Sequence, residues 1–169
     1  MGAYVAVVGA GRASSEEERA AEAIGRGLAD AGAVVVCGGL GGVMEAACRG
    51  AKAGGGATVG ILPGTSRAEA NQFVDVAIPT GLGEMRNALV VRAADALVAV
   101  GGEFGTLSEI ALALKAGKPV VALGGWELAQ SGRPVDALVR VGSAEDAVTR
   151  VLAACAGVAR GSRHRAGLP

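Results

Sequence analysis

Two charged residues of this sequence, Arg86 and Glu109, could do chemistry on a ligand. Arg86 stands in the first turn of a helix predicted at 84–94, where the helix dipole disfavours a cation. An arginine gains at that position when it reaches for a phosphate, because its planar guanidinium pairs with phosphate oxygens. Glu109 has two interpretations: it could complete a capping box with Thr106, or do acid–base work and hold ribose hydroxyls.

Three glycine-rich segments each follow a predicted strand and precede a predicted helix. Such turns let the backbone approach a phosphate, and the next helix offers free N–H groups. Because parallel strands end at one edge of a sheet, the segments are expected to meet around one anion site. A tight turn without a ligand is the alternative for any single segment. The predicted phosphate-binding residues are Gly9, Gly11, Arg12, Gly38, Gly39, Gly41, Gly42, Gly102, Gly105 and Thr106.

The dinucleotide-binding fingerprint is incomplete. After Gly9 and Gly11, Ser14 stands where the third glycine belongs, and the second predicted strand ends at Cys37 instead of an acidic residue. NAD or FAD binding in the usual manner is therefore not expected. Glu45, in the first turns of the second helix, is interpreted as structural or as a ribose ligand.

Short apolar runs alternate with amphipathic segments along the chain. This pattern predicts a single α/β domain with a Rossmann-like, doubly wound, mainly parallel sheet of six to seven strands. The two runs that contain charged residues are expected at the sheet edges. The strands are predicted at 5–8, 34–37, 59–62, 74–78, 96–100, 120–123 and 138–141, and the helices at 15–31, 42–53, 84–94, 106–116 and from 143.

Two details of the helices are predicted more closely. Ser15 and Glu18 have the spacing of a capping box at the start of the first helix. The fourth helix is expected to bury Leu107, Ile110, Ala111 and Leu114, which recur at helical spacing. The domain is predicted to span 1–156, and residues 157–169, rich in glycine and arginine, to form a flexible tail that contains His164.

Composition narrows the classes of partner. Sixteen basic residues balance sixteen acidic ones, and aromatic residues make up 2% of the chain, so nucleic acid is not expected as a partner. No apolar run is long enough for a membrane helix, and Cys37, Cys48 and Cys155 have no metal-ligand or disulfide spacing. These features predict a cytoplasmic protein without a metal site, a required cofactor or a membrane partner.

The strings GGLGGVME (38–45), GEMRN (83–87) and GGEFGTLSE (101–109) resemble the family of molybdenum-cofactor carrier proteins. That family lies within the superfamily of LOG-type, "lysine decarboxylase-like" Rossmann proteins, and the likeness extends from the first strand to about residue 156. The resemblance implies a carrier that binds the phosphate-bearing pterin of molybdenum cofactor. It also implies a homo-oligomer, since LOG-like relatives are commonly dimers and carriers tetramers.

LOG enzymes cleave the N-glycosidic bond of nucleoside 5′-monophosphates, with the motif Pro-Gly-Gly-x-Gly-Thr-x-x-Glu and an upstream Arg-Lys pair. Here Gly101 replaces the proline, Glu103 replaces the second glycine and Asn87 replaces the lysine, while Arg86 and Glu109 match the catalytic types. These departures favour a carrier of an AMP-like nucleotide or molybdenum cofactor over the alternative, a phosphoribohydrolase that uses Arg86 and Glu109. Lysine decarboxylation is not expected, because no lysine has a plausible pyridoxal-phosphate context.

Overall fold

The computed structural model describes residues 2–165, with side chains up to residue 157. A seven-stranded parallel sheet has the order β4-β3-β2-β1-β5-β6-β9, and a separate antiparallel pair is formed by β7 and β8. The strands are β1 (Tyr4–Gly9), β2 (Val34–Cys37), β3 (Thr58–Leu62), β4 (Val76–Pro79), β5 (Ala96–Val100), β6 (Val120–Leu123), β7 (Ala129–Gln130), β8 (Arg133–Pro134) and β9 (Leu138–Val141).

Five α-helices cover the sheet, with two short 3₁₀ helices at Arg67–Glu69 and Gly83–Arg86 within the described residues. The order of the strands reverses between β1 and β5, so the loops after these two strands diverge and leave a crevice at the carboxyl edge. The α-helices are α1 (Ser15–Asp30), α2 (Val43–Ala53), α3 (Asn87–Ala93), α4 (Phe104–Lys115) and α5 (Ala144–Arg165).

The apolar strands are buried on both faces. In β1, Val5 and Val7 pack in a core with α1, α2 and α5, whereas Ala6 and Val8 pack in a second core with α3 and α4. This division explains why the sequence of the strand is continuously apolar, as expected for a parallel sheet between two helical layers. The doubly wound, single-domain α/β fold predicted from the sequence is thus confirmed, and β4 and β9 are the sheet edges as predicted.

Among the differences from the sequence-based expectation, two at element starts are explained by local hydrogen bonds. The capping box of α1 is one residue earlier than predicted: Ser14 Oγ accepts from the Glu17 N–H at 3.2 Å, and Glu17 Oε2 accepts from the Ser14 N–H at 2.8 Å. β4 begins at Val76, because the preceding Asp75 is tied to β3 by its side chain, which accepts from the Thr58 N–H at 2.9 Å.

The carboxyl-terminal helix α5 continues through residues 157–165, within the segment that was expected to be a flexible tail. The side chain of His164 and all of residues 166–169 lie outside the part that the structure describes. Among the described residues, no helix combines the length and apolar character needed to cross a membrane.

Candidate functional site

A small cavity of about 120 Å³ lies at the carboxyl edge of the sheet, where the loops after β1, β2 and β5 meet. The structure therefore brings one or more predicted residues from each glycine segment to the same place, together with both charged candidates. The predicted residues that line this anion-site candidate are Gly9, Gly11, Gly38, Arg86, Gly105, Thr106 and Glu109.

Other predicted site residues do not line the cavity, namely Arg12, Gly39, Gly41, Gly42, Glu45 and Gly102. Arg12 is exposed. A Cβ added to Gly41 would lie 4.0 Å from Glu45 Oε2 and 3.4 Å from the carbonyl oxygen of Gly11. Gly41 thus lies close to the loop after β1, outside the cavity.

Arg86 is the cation of the site. It ends the 3₁₀ helix and is the N-cap residue of α3, so it lies one residue before the α-helix and not within its first turn as predicted. Its side chain is only 9% exposed. The guanidinium lies over the end of β2, where a Cβ on Gly38 would come within 2.4 Å of Nη2. Glycine at this position is therefore required for the arginine to pack there.

A chain of hydrogen bonds links Arg86 to the loop after β5. Nη1 donates to Asn87 Oδ1 at 2.9 Å, and Asn87 Nδ2 donates to Ser108 Oγ at 3.0 Å. The Ser108 hydroxyl in turn donates to the carbonyl oxygen of Gly105 at 2.7 Å. The guanidinium and the glycine loop are thus held in one network across α3 and α4.

The Nε atom of Arg86 is buried and has no hydrogen-bond partner among the described residues. A buried guanidinium nitrogen without an acceptor is costly, because it has lost its contact with water without replacement. Burial accordingly lowers the pKa of Arg86, and the nearby Glu109 carboxylate opposes that shift. An anionic ligand would supply negative charge to this guanidinium.

Glu109 faces Arg86 from α4. Its Oε1 lies 3.5 Å from Arg86 Nη1, and its side chain is 8% exposed. Burial raises the pKa of Glu109 to about 7, and the attraction of Arg86 offsets only part of that effect. The carboxyl group therefore changes protonation near neutral pH.

The capping-box interpretation of Thr106 and Glu109 is wrong. The helix begins at Phe104 with Glu103 as N-cap, so both residues lie inside α4 and face inward. The buried residues of α4 are Thr106, Glu109, Ile110 and Ala113, whereas Ala111 is exposed and Leu107 and Leu114 are half-buried. The core stripe is rotated from the predicted one, and this rotation directs the carboxylate to Arg86.

The N-terminus of α4 is open towards the cavity. The Glu103 side chain forms no capping hydrogen bond within the described part of the chain, so the first N–H groups of this helix remain available to an anion. Gly102 has a φ of +116°, and a Cβ there would lie 2.5 Å from the Thr106 side chain. This glycine allows the loop to turn closely over the start of the helix.

Five further lining residues were not predicted as ligands: the apolar Val8, Ala10 and Met44, and the polar Asn87 and Glu103. Glu103 is exposed and adds a negative charge beside the loop. Asn87 was noted only as the replacement of a lysine, and its role in the hydrogen-bond chain depends on contact between α3 and α4. Ser108 was missed for the same reason, since nothing in the local sequence marks that contact.

Cys37 and Cys48 lie side by side beneath the cavity, with their Sγ atoms 3.5 Å apart and both side chains fully buried. The Gly39 N–H donates to Cys37 Sγ at 3.3 Å. The Cys48 thiol, this N–H and the nearby Arg86 lower the pKa of Cys37 despite its burial. The two cysteines form part of the floor under the loop after β2.

A larger groove of about 550 Å³ lies near the starts of α1 and α5 and is lined by Glu16, Glu17 and Gly101 among others. No cationic side chain of the described chain lines it. The smaller cavity, which contains the buried Arg86, is therefore the candidate functional site.

A seven-stranded parallel sheet with its helices on both faces defines a Rossmann-like α/β protein. The chain belongs to the SLOG cluster4 family, whose model matches residues 2–150. It falls in the branch of the LOG superfamily that resembles molybdenum-cofactor carriers, as the sequence motifs predicted.

One relative and two solved structures illustrate what the chain is similar to. An uncharacterized protein of Archaeoglobus fulgidus is 48% identical over 119 residues, which cover 70% of this chain and 78% of that protein. The molybdenum cofactor binding protein of Rippkaea orientalis is similar in structure, with a TM-score of 0.81, 33% identity, and coverage of 90% of this chain and 97% of that one. The molybdenum cofactor carrier protein of Chlamydomonas reinhardtii has a TM-score of 0.76, 32% identity, and coverage of 92% and 99%.

Proposed function

We propose that this protein is a carrier that binds a phosphate-bearing cofactor of molybdenum-cofactor type, or an AMP-like nucleotide, without turning it over. The phosphate lies in the cavity between Arg86 and the N-terminus of α4. Gly9, Gly11, Gly38, Gly105 and Thr106 surround it, and Glu109 faces the sugar-like hydroxyls or the phosphate itself.

One observation carries this proposal: the Nε atom of Arg86 is buried without a hydrogen-bond partner in the described residues. It belongs to a guanidinium that lines the cavity beside Gly105 and Thr106. A phosphate oxygen pairs well with a guanidinium and with free N–H groups at a helix start. These donors fit the phosphate of such a cofactor.

The relatives support the choice of ligand class. A protein of Rippkaea orientalis described as molybdenum cofactor binding and a carrier of Chlamydomonas reinhardtii share this fold at 33% and 32% identity. The comparisons do not favour the phosphoribohydrolase alternative, and Glu103 and Asn87 depart from the motif of that enzyme class.

We further propose that the carrier is a homo-oligomer whose subunits meet at α3. Its core face is formed by Val90 and Val91, while Met85, just before the helix, is 79% exposed and Leu89 is 40% exposed. Exposed apolar side chains that cluster on one face are typical of an interface between subunits. Sedimentation of the wild type and of Leu89→Asp tests this assembly, and an unchanged mass would contradict it.

Calorimetric titration with inorganic phosphate, AMP and ribose 5-phosphate tests the proposed binding. We expect each ligand to bind the wild type, and Arg86→Gln to lose at least about tenfold in affinity, since charged hydrogen bonds of this kind contribute about 1.5–3 kcal/mol. Arg19→Gln, an exposed change on α1, is the matched control and should bind as the wild type does. Failure of all three ligands to bind would refute the phosphate site.

An assay for free adenine after incubation with AMP separates carrier from enzyme. The carrier predicts bound AMP that is recovered intact. Release of adenine that disappears in Glu109→Gln would instead identify the phosphoribohydrolase.

A further inference from the structure

We propose that Phe104, supported by Trp126, is a stacking platform for the planar ring of the ligand, a fused nitrogen heterocycle such as a purine or a pterin. This inference rests on the proposed function, because it places the ring of the ligand whose phosphate lies in the cavity.

The aromatic residues of this chain are few, and two of them are in contact beside the site. The sequence has two phenylalanines, one tyrosine and one tryptophan. The rings of Phe104 and Trp126 contact each other with centroids 5.4 Å apart and an angle of 48° between their planes. A tilted pair at this separation is a favourable aromatic contact, and Phe104 begins α4 between two residues that line the anion cavity.

Trp126 anchors this arrangement from the loop after β6. Its Nε1–H donates to the carbonyl oxygen of Glu103 at 3.2 Å, and its half-buried ring packs against the core beneath α3 and α4. Trp126 thereby holds the residue before Phe104 in place and supports one side of the Phe104 ring. The phenyl ring is positioned although it is not buried.

Phe104 itself is 79% exposed. The residues on either side of it, Glu103 and Gly105, both line the anion cavity, and adjacent Cα atoms are only about 3.8 Å apart. A neighbouring groove of about 470 Å³ contains Phe104 and shares Gly105 and Asn87 with the cavity. A ligand with its phosphate at Gly105 can therefore place a ring on Phe104 without leaving this continuous surface.

The proposed platform requires that the ring of the ligand be aromatic. Stacking of a heterocycle on an aromatic side chain tolerates different bases, because every base has a π-face. The platform thus accepts either a purine or a pterin. Any hydrogen bonds to the edges of the ring would come from other residues.

The competing occupant of this groove is a second copy of the chain, because the groove is lined by Met85, which belongs to the exposed face proposed above as the subunit interface. Met85 is also the matched control for the ring, because it is as exposed as Phe104 but has no π-face, so Met85→Ala can change the assembly without changing the preference for ring compounds. A subunit interface would be weakened by Phe104→Ala and Met85→Ala alike. If Phe104 is a stacking platform, Phe104→Ala should lose the preference for ring compounds, whereas Phe104→Tyr and Met85→Ala should keep it.

The test measures binding of ribose 5-phosphate, AMP and a pterin monophosphate to the wild type, Phe104→Ala, Phe104→Tyr and Met85→Ala. Fluorescence of Trp126, the only tryptophan of the sequence, reports the ring directly. We expect AMP and the pterin to bind the wild type about tenfold or more tightly than ribose 5-phosphate and to quench Trp126. Phe104→Ala should abolish that preference and the quenching while ribose 5-phosphate still binds.

Each other outcome overturns the inference. Equal affinity of the wild type for AMP, the pterin and ribose 5-phosphate would remove the platform but leave the phosphate site intact. A preference for the ring compounds that survives in Phe104→Ala would place the ring elsewhere. Equal losses in Phe104→Ala and Met85→Ala, accompanied by a smaller assembly in sedimentation, would assign the groove to a subunit interface. If no phosphate compound binds the wild type, the proposed function fails together with the platform.

Discussion

The Nη1 atom of Arg86 lies 3.5 Å from Oε1 of Glu109, and both side chains are more than nine-tenths buried. Two such groups removed from water gain from their attraction but lose their hydration. The pKa of Glu109 is raised to about 7 by burial, which means that desolvation prevails over the attraction of Arg86. A ligand anion that enters the cavity would compete with the Glu109 carboxylate for the same guanidinium.

Sulfate binding should therefore strengthen as the pH falls through the pKa of Glu109, about 7. Protonation removes the negative charge that repels the anion, and a coupling of one pKa unit corresponds to about tenfold in affinity. Sulfate is the suitable probe because its own charge does not change in this range. Calorimetry across neutral pH should show this increase in the wild type and a flat profile in Glu109→Gln. A pH-dependent increase that persists in Glu109→Gln would show that another group is responsible.

The free energy of unfolding should also depend on the protonation of Glu109. The pKa of Glu109 is raised from 4.5 to about 7 in the folded protein, so the folded state binds the proton more tightly than the unfolded state. This contribution to stability is complete below about pH 4.5 and is lost as the pH rises to about 7. Urea unfolding at several pH values should show that the free energy of unfolding falls by up to about 3 kcal/mol as Glu109 loses its proton. Glu109→Gln should lack that portion of the slope, and identical slopes would contradict the assignment.

Gly38→Ala should disturb the arginine without disrupting the sheet. A Cβ at Gly38 would lie 2.4 Å from Arg86 Nη2 and 2.7 Å from Met44 Sδ, so the guanidinium must move. We expect phosphate affinity to fall by about tenfold, with a loss of stability of about 1–3 kcal/mol from overpacking. Gly142→Ala is the control, because a Cβ there meets no atom within 4 Å. Titration measures the affinity for phosphate, and urea unfolding measures the stability. Unchanged binding in Gly38→Ala would show that Arg86 does not contact the ligand.

Glu103→Gln should tighten anion binding. Glu103 is exposed and lines the cavity, so its negative charge disfavours a phosphate there. Because solvent and salt screen an exposed charge, the gain should be modest, about two- to fivefold, and should shrink at high ionic strength. Glu127→Gln, an exposed change at the end of the loop that carries Trp126, should leave binding unchanged. A weaker affinity in Glu103→Gln would show that the carboxylate contacts the ligand favourably.

The sequence alone determined the fold because its signals are local and repeated. Valine-rich runs such as 34–37 and 96–100 coincide with β2 and β5, since a strand covered on both faces must be apolar throughout. The charged residues Asp75 and Arg140 correctly marked the two edges of the sheet, where one side of a strand lacks a neighbour. The convergence of the glycine segments was expected because strand ends of a parallel sheet share one edge. Arg86 was singled out because a cation near a helix start is unfavourable unless it meets an anion.

The direction in which the Glu109 carboxylate points was decided by the tertiary structure alone. Thr106 and Glu109 have the spacing of a capping box, but α4 begins two residues before Thr106, and its rotation on the sheet turns Glu109 towards Arg86. That rotation depends on how Ile110 and Ala113 pack in the core, which no local pattern specifies. The contact between Phe104 and Trp126 likewise joins loops from two different strands. Local sequence determines the period and approximate position of each element, whereas the site depends on side chains that meet only after the elements have packed.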